Sequence, residues 1–163
     1  RLQSQVMRDS ILSLAGTLDL AMGGPPILAA AQANSQRRSL YFFHSNNSRN
    51  LFLRMFDEAL VKDCYRRDTS IVPQQALALT NSTLVLESAE QIAARLSKER
   101  PEAVAFIKDA FAIILGIDVA AAELTASMEA LSAWKKLPNT NELTARTHLV
   151  WVLLNHNDFV TVR

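Results

Sequence analysis

The sequence predicts an all-α fold. Three observations carry that reading: apolar residues recur at helical spacing in about seven separate stretches, glycine and proline fall between those stretches, and only two short segments, 39–44 and 159–162, read as extended. A chain of 163 residues that is 49% hydrophobic is long enough for one domain with a sizeable core. With only 4 glycines and 5 prolines, a loop-rich or disordered chain is disfavoured. Residues 1–163 therefore read as a single helical domain, a segment of a longer multidomain protein.

The elements follow in order. Met7, Ile11, Leu14, Ala15 and Leu18 lie on one face of a helix beginning near Leu2, and Gly23-Gly24-Pro25-Pro26 stops it in a turn. Residues 27–36, alanine-rich and then polar, read as loop. Leu40, Tyr41, Phe42 and Phe43 form the aromatic run of the first extended segment. A polar turn then caps a helix carrying Leu51, Phe52, Met55, Phe56 and Leu60. Asp68, Thr69 and Ser70 are N-cap types, and Pro73 suits the first helical turn. Ala76 to Leu79 are apolar on every side, which predicts a short, buried, central helix. Asn81 and Ser82 break it and open a longer helix with Val85, Ala89, Ile92 and Leu96 inward. Pro101 opens a helix with Val104, Ile107, Phe111 and Ile114, closed by Gly116 and Ile117 as a Schellman cap. Asp118 caps a helix with Leu124, Met128, Leu131 and Trp134, ended by Pro138. Asn139 with Glu142 reads as a capping box for the last helix, with Val150, Trp151 and Leu154 in register. The tail from Phe159 alternates apolar and polar residues.

Charge narrows the partners. Seventeen Lys and Arg against sixteen Asp and Glu leave a net charge of +1, so no global field recruits nucleic acid or an anionic membrane. The local excess between Arg37 and Asp68, seven basic residues against four acidic, is modest. One cysteine, Cys64, excludes an internal disulfide and a Cys-x-x-Cys metal or haem motif, while leaving the redox compartment open. No apolar run has the length of a membrane span. GxGxxG, P-loop and GxSxG patterns are absent, which removes the usual nucleotide and serine-hydrolase footholds.

Among side chains that carry chemistry, Arg66-Arg67-Asp68 stands out. Two guanidinium groups beside the start of a helix suit a phosphate or carboxylate. The competing reading is that Asp68 caps the helix while one arginine pairs with Asp57, Glu58 or Asp63. The candidate binding set is Arg38, Asp57, Arg66, Arg67 and Asp68. Cys64 with His44 or His156 as base and Asp68 or Asn155 as orienter has the ingredients of a nucleophilic triad, and a small buried thiol is the plainer account. His148, His156 and Asp158 lack a metal-ligand spacing and read as a helix-surface histidine and an Asx-rich turn. Trp134 and Trp151 read as core. No catalytic, metal or cofactor residue is assigned.

Three stretches together carry a resemblance: "RLQSQVMRDSILSLAGTLDLAMGGPP", "RRSLYFFHSNNSRNLFLRMFDEALVKDCYRRDTSIVPQQALALTNSTLVLESAEQIAARL" and "LLNHNDFVTV". They resemble the C-terminal domain of unknown function of large exported proteins of Planctomycetes and related bacteria, often joined to a cytochrome-c-type domain. The match falls on Arg8, Asp9, Met22 to Pro26, Arg38, Ser39, Phe56, Asp57, Cys64, Arg66, Arg67, Pro73, Gln75 to Leu77, Asn81, Leu154, Asn155 and Asn157 to Phe159. The segment "DEALVKD" departs from it, standing where the family usually carries a proline-containing loop. The resemblance implies an exported or periplasmic parent and partners among its other domains, a haem-bearing one included, with no haem on this chain. It implies no activity. The sequence thus favours a helical scaffold or binding module, with an anion- or substrate-binding contribution to an enzyme site, for polysaccharide-related substrates, as the alternative.

Overall fold

A computed structural model describes residues 2–45, 47, 49–59 and 73–161. Among them the fold is all-α, without a strand. In chain order the elements are α1 (Ser4–Ala15), α2 (Ala29–Gln32), a 3-10 turn (Ser39–Tyr41), α3 (Leu51–Met55), α4 (Pro73–Asn81), α5 (Thr83–Glu99), α6 (Ala103–Leu115), α7 (Ala121–Trp134), α8 (Glu142–Leu154) and α9 (Asn157–Val160). The chain divides into two compact units, Arg1–Leu79 and Thr80–Arg163, the division falling within α4.

In the first unit α1 buries Ser4, Met7, Arg8, Ile11, Leu12 and Ala15, the i, i+3, i+4, i+7, i+8 and i+11 stripe of one helical face, and packs on α3 and the 3-10 turn. The helix ends earlier than the apolar periodicity suggests. Gly16 adopts the left-handed conformation (φ 78°), its N–H donating to Ser13 O at 3.0 Å and that of Thr17 to Leu12 O at 3.0 Å. That pair of bonds is a Schellman cap, and it puts Leu18 outside the helix. The segment that follows is anchored at two isolated parallel bridges, Asp19 with Arg37 and Ile27 with Phe42. Residues 27–36, expected as loop, contain the single turn of α2, whose buried Gln32 donates from Nε2 to Ile27 O (3.1 Å) and Phe43 O (2.9 Å).

The expected extended segment 39–44 begins instead as the 3-10 turn, with Phe42 reaching a bridge. The second expected extended segment, of which 162 lies outside the described residues, begins as helix too: Phe159 and Val160 complete α9, whose N-cap is His156. Local capping outweighs the two-residue alternation there, because a run this short gains little without a strand to pair with.

The second unit is built chiefly on α5 against α8. Val85, Ala89, Ile92, Ala93 and Leu96 of α5 and Ala145, Leu149, Val150, Leu153 and Leu154 of α8 are buried, as are Phe106, Ile107, Ala110, Phe111 and Ile114 of α6. Alanines at 89, 93, 110 and 145 leave room for close helix approach. Gly116 (φ 69°) ends α6 with one N–H bond to Ala112 O at 3.1 Å, the single-bond αL cap and not the Schellman pair. The N-caps of the last long helices fall two residues past the expected ones, at Ala120 in place of Asp118 and Asn141 in place of Asn139. Asn141 Oδ1 accepts from Thr144 N–H at 2.8 Å. Trp134 and Trp151 are half-buried and not core, Trp134 meeting His148 edge to face at 5.6 Å.

One expectation fails in part on α4. Leu79 and Gln75 are buried, but Leu77 is 58% exposed, so the helix buries one face and is not surrounded.

Candidate functional site

The most elaborate polar assembly in the first unit grows from two adjacent residues of α1. Helical periodicity places Arg8 on the buried face beside Met7 and Ile11, leaving only 3% of it exposed. A guanidinium there must find acceptors, because burying an unpaired charge is costly. It finds four. Nη1 donates to Arg37 O (3.0 Å), Ser39 Oγ (3.2 Å) and Asp9 Oδ1 (3.3 Å), and Nη2 donates to Ser35 O. The planar group also lies 4.6 Å from the Phe42 ring centroid. Burial pushes the Arg8 pKa down, and the Asp9 carboxylate opposes the shift.

Asp9 completes the assembly. Its carboxylate accepts from Ser39 N–H at 2.9 and 3.1 Å and from Ser39 Oγ at 2.6 Å. Ser39 therefore accepts from Arg8 and donates to Asp9 through one hydroxyl. These bonds fix the path of residues 35–39 across α1. Ser39 is buried, so its hydroxyl has no open side for a substrate, and the trio acts as a tie.

Arg37 organises the neighbouring loop. Its Nη2 donates to Ala21 O (3.2 Å) and Gly23 O (2.5 Å), its guanidinium stacks 4.1 Å from the Tyr41 ring centroid, and Tyr41 Oη accepts from Gly23 N–H at 2.9 Å. Gly24, at φ 91°, brings the backbone close to Arg37: a Cβ there would lie 3.4 Å from Nη1. Here the angle calls for a glycine, while the approach to Arg37 is an ordinary contact.

Of the sequence-predicted binding residues, Arg38 and Asp57 are placed, whereas Arg66, Arg67 and Asp68 lie outside the described residues, as does Cys64. Arg38 borders an open groove of about 420 Å³ whose other walls are Gln5, Val6, Asp9, Ser10, Ser13, Leu18 and Leu40. Asp57 follows α3 at a positive φ of 57° and accepts from Gln75 Nε2 at 3.4 Å; it is not part of that groove. Next to it Glu58, with a buried side chain, meets His44 Nδ1 through Oε1 at 3.0 Å, and His44 Nε2 faces Ala59 O at 2.9 Å.

In the second unit Arg146 repeats the logic of Arg8. It bonds Glu142 Oε1 (3.0 Å), Arg100 O (3.1 Å) and Pro101 O, and sits 4.7 Å from the Phe106 centroid, tying the α5–α6 turn to α8. His148 packs on Trp134, and His156 caps α9 by accepting from Asp158 N–H at 3.2 Å. No group of three or more metal-ligating side chains occurs among the described residues.

Arg8, Asp9 and Ser39 lie among the positions that carry the family resemblance, which gives them no role. The signal was present, since Arg8 is a charged residue at an apolar position of the α1 stripe.

The family described as "PSD1: Protein of unknown function (DUF1553)" matches residues 1–131. The chain belongs to that family. No curated protein and no solved structure matches it. The PSD1 match takes in Arg8, Asp9, Arg37, Arg38 and Ser39 together, and so the whole tie and the groove beside it. It ends inside α7, before α8 and α9.

Proposed function

We propose that the chain is a helical binding module, a scaffold that docks neighbouring domains of an exported multidomain bacterial protein. The observation that carries this reading is segment 17–28. It is held by Asp19 N–H to Gln36 O (2.8 Å), Ile27 N–H to Tyr41 O (2.8 Å), Phe43 N–H to Ile27 O (2.9 Å) and the Arg37 bonds already described. Yet it presents Leu20, Met22 and Leu28 to solvent, 67%, 87% and 65% exposed. Apolar side chains on a pre-ordered loop favour docking, because little further entropy is lost on binding and the exposed methionine adapts to its partner. Export, a planctomycete-type origin and a cytochrome-c-type neighbour are supported by the sequence resemblance, and membership of a family of unknown function supports the domain reading alone. No helix among the described residues is long and apolar enough to cross a membrane.

Calorimetric titration of the chain with the other domains of its parent tests this. Saturable binding is expected, weakened about tenfold or more by Leu20→Asp with Met22→Asp. Failure of every parent domain to bind, or an undiminished affinity in the double variant, overturns it.

A second reading is that Arg38, Asp57, Arg66, Arg67 and Asp68 contribute an anion- or substrate-binding cluster to an enzyme site acting on polysaccharide-related substrates. Its support is the position of Arg38 on the groove. Binding of acidic oligosaccharides that Arg38→Gln abolishes is the expected outcome under that reading.

A further inference from the structure

The groove against α1 has the makings of a small-molecule site. Its volume of about 420 Å³ lies within the range of ligand pockets. Three aliphatic side chains, Val6, Leu18 and Leu40, line it alongside the polar groups of Gln5, Ser10, Ser13 and Arg38. Of the three neighbouring arginines, two are consumed: Arg8 by Asp9, Ser39 and two carbonyls, and Arg37 by the 21–23 backbone and Tyr41. The Arg38 side chain makes no hydrogen bond or ion pair with any described residue, and neither do the hydroxyls of Ser10 and Ser13. Asp9, the one acidic residue on the wall, has its charge met by Arg8 and its oxygens by Ser39, so the groove presents a net positive charge at Arg38.

We infer that this groove binds a small organic carboxylate with an apolar body, the carboxylate held by the guanidinium of Arg38 and the body lying on Val6, Leu18 and Leu40. An arginine fork matches a carboxylate with two parallel N–H bonds, and the hydroxyls of Ser10 and Ser13 supply further donors. The aliphatic wall selects against inorganic anions, which gain nothing from it. This inference extends the second reading of Arg38 by naming the class of ligand, and it stands apart from docking by segment 17–28.

Two-dimensional NMR of the full chain with hexanoate, hexanamide and inorganic phosphate tests it. Hexanoate is expected to give saturable shifts at the amides of Gln5, Ser10, Ser13 and Leu40, with hexanamide and phosphate giving none. Arg38→Gln, which breaks no side-chain bond to a described residue, weakens hexanoate binding about tenfold or more, and Arg38→Lys recovers part of it. Leu40→Asp, on an exposed wall, abolishes binding while leaving the thermal midpoint in place. Equal shifts from hexanamide or phosphate, no saturation by hexanoate, or full binding in Arg38→Gln each overturn the inference. Binding is read here without any enzymatic assay. Loss of domain docking in the Leu20→Asp, Met22→Asp variant with hexanoate binding intact separates this site from the docking surface. Hexanoate binding without oligosaccharide binding separates it from the polysaccharide reading.

Discussion

Arg8 and Arg146 solve one problem in two places: each buried guanidinium stacks on an aromatic ring, pairs with a nearby carboxylate on its own helix and collects backbone carbonyls from a segment distant in sequence. Removing the cation strands its acceptors. Arg8→Met leaves the carbonyls of Ser35 and Arg37 without that donor and Asp9 without its countercharge, held by Ser39 alone among the described residues, and should lower unfolding free energy by about 3 kcal/mol in urea titrations. Ser39→Ala, which removes one shared hydroxyl, should cost about 1 kcal/mol. Glu142 offers a pH test. Its carboxylate is held below the ordinary glutamate value of 4.5, first by the Lys135 ammonium and then by Arg146. A carboxylate that titrates lower when folded stabilises the fold above its ordinary range, and that contribution is lost as pH falls through the folded value. The stability gap between the parent chain and Glu142→Gln should therefore be widest near neutral pH and close below pH 4.5. Because Glu142 is about half exposed, the gap should also narrow in about 1 M salt.

At the scale of elements, the six long helices among the described residues were legible because apolar residues recur in each at helical spacing, whereas the pattern from Leu51 gives only the short α3. Their ends were less so. Gly16 was overlooked as a stop because Leu18 continues the apolar spacing, and spacing alone does not register that one left-handed residue ends a helix. Gly16→Ala forces a Cβ onto φ 78° and should cost about 1 to 2 kcal/mol. Asn141→Ala removes the bond to Thr144 N–H and should cost about 1 kcal/mol in denaturant titrations. α2 and α9 escaped sequence reading because a single helical turn has no periodicity to detect, and Gln32 and His156 hold them through side-chain bonds.

For the whole molecule, the family match and the second unit's core have different limits. The match stops at residue 131, whereas α8 beyond it supplies Leu149, Val150, Leu153 and Leu154 to the core. A chain ended after Leu131 should lose far more helical circular dichroism than α8 and α9 account for, because the buried face of α5 loses its main partner. The amino-acid sequence by itself determined the all-α class and the inward faces of α1, α5, α6 and α8, since those depend on local periodicity and propensity. It also named Arg38 as a binding candidate, and Arg8, Asp9 and Ser39 as positions of the resemblance without indicating what they do. Only the tertiary structure decided that Arg8, Asp9 and Ser39 lock together across 30 residues while Arg38 is left facing a groove. Four adjacent polar residues acquire different roles because burial and partner geometry, set by how α1 meets the 35–39 segment, distribute the hydrogen bonds among them.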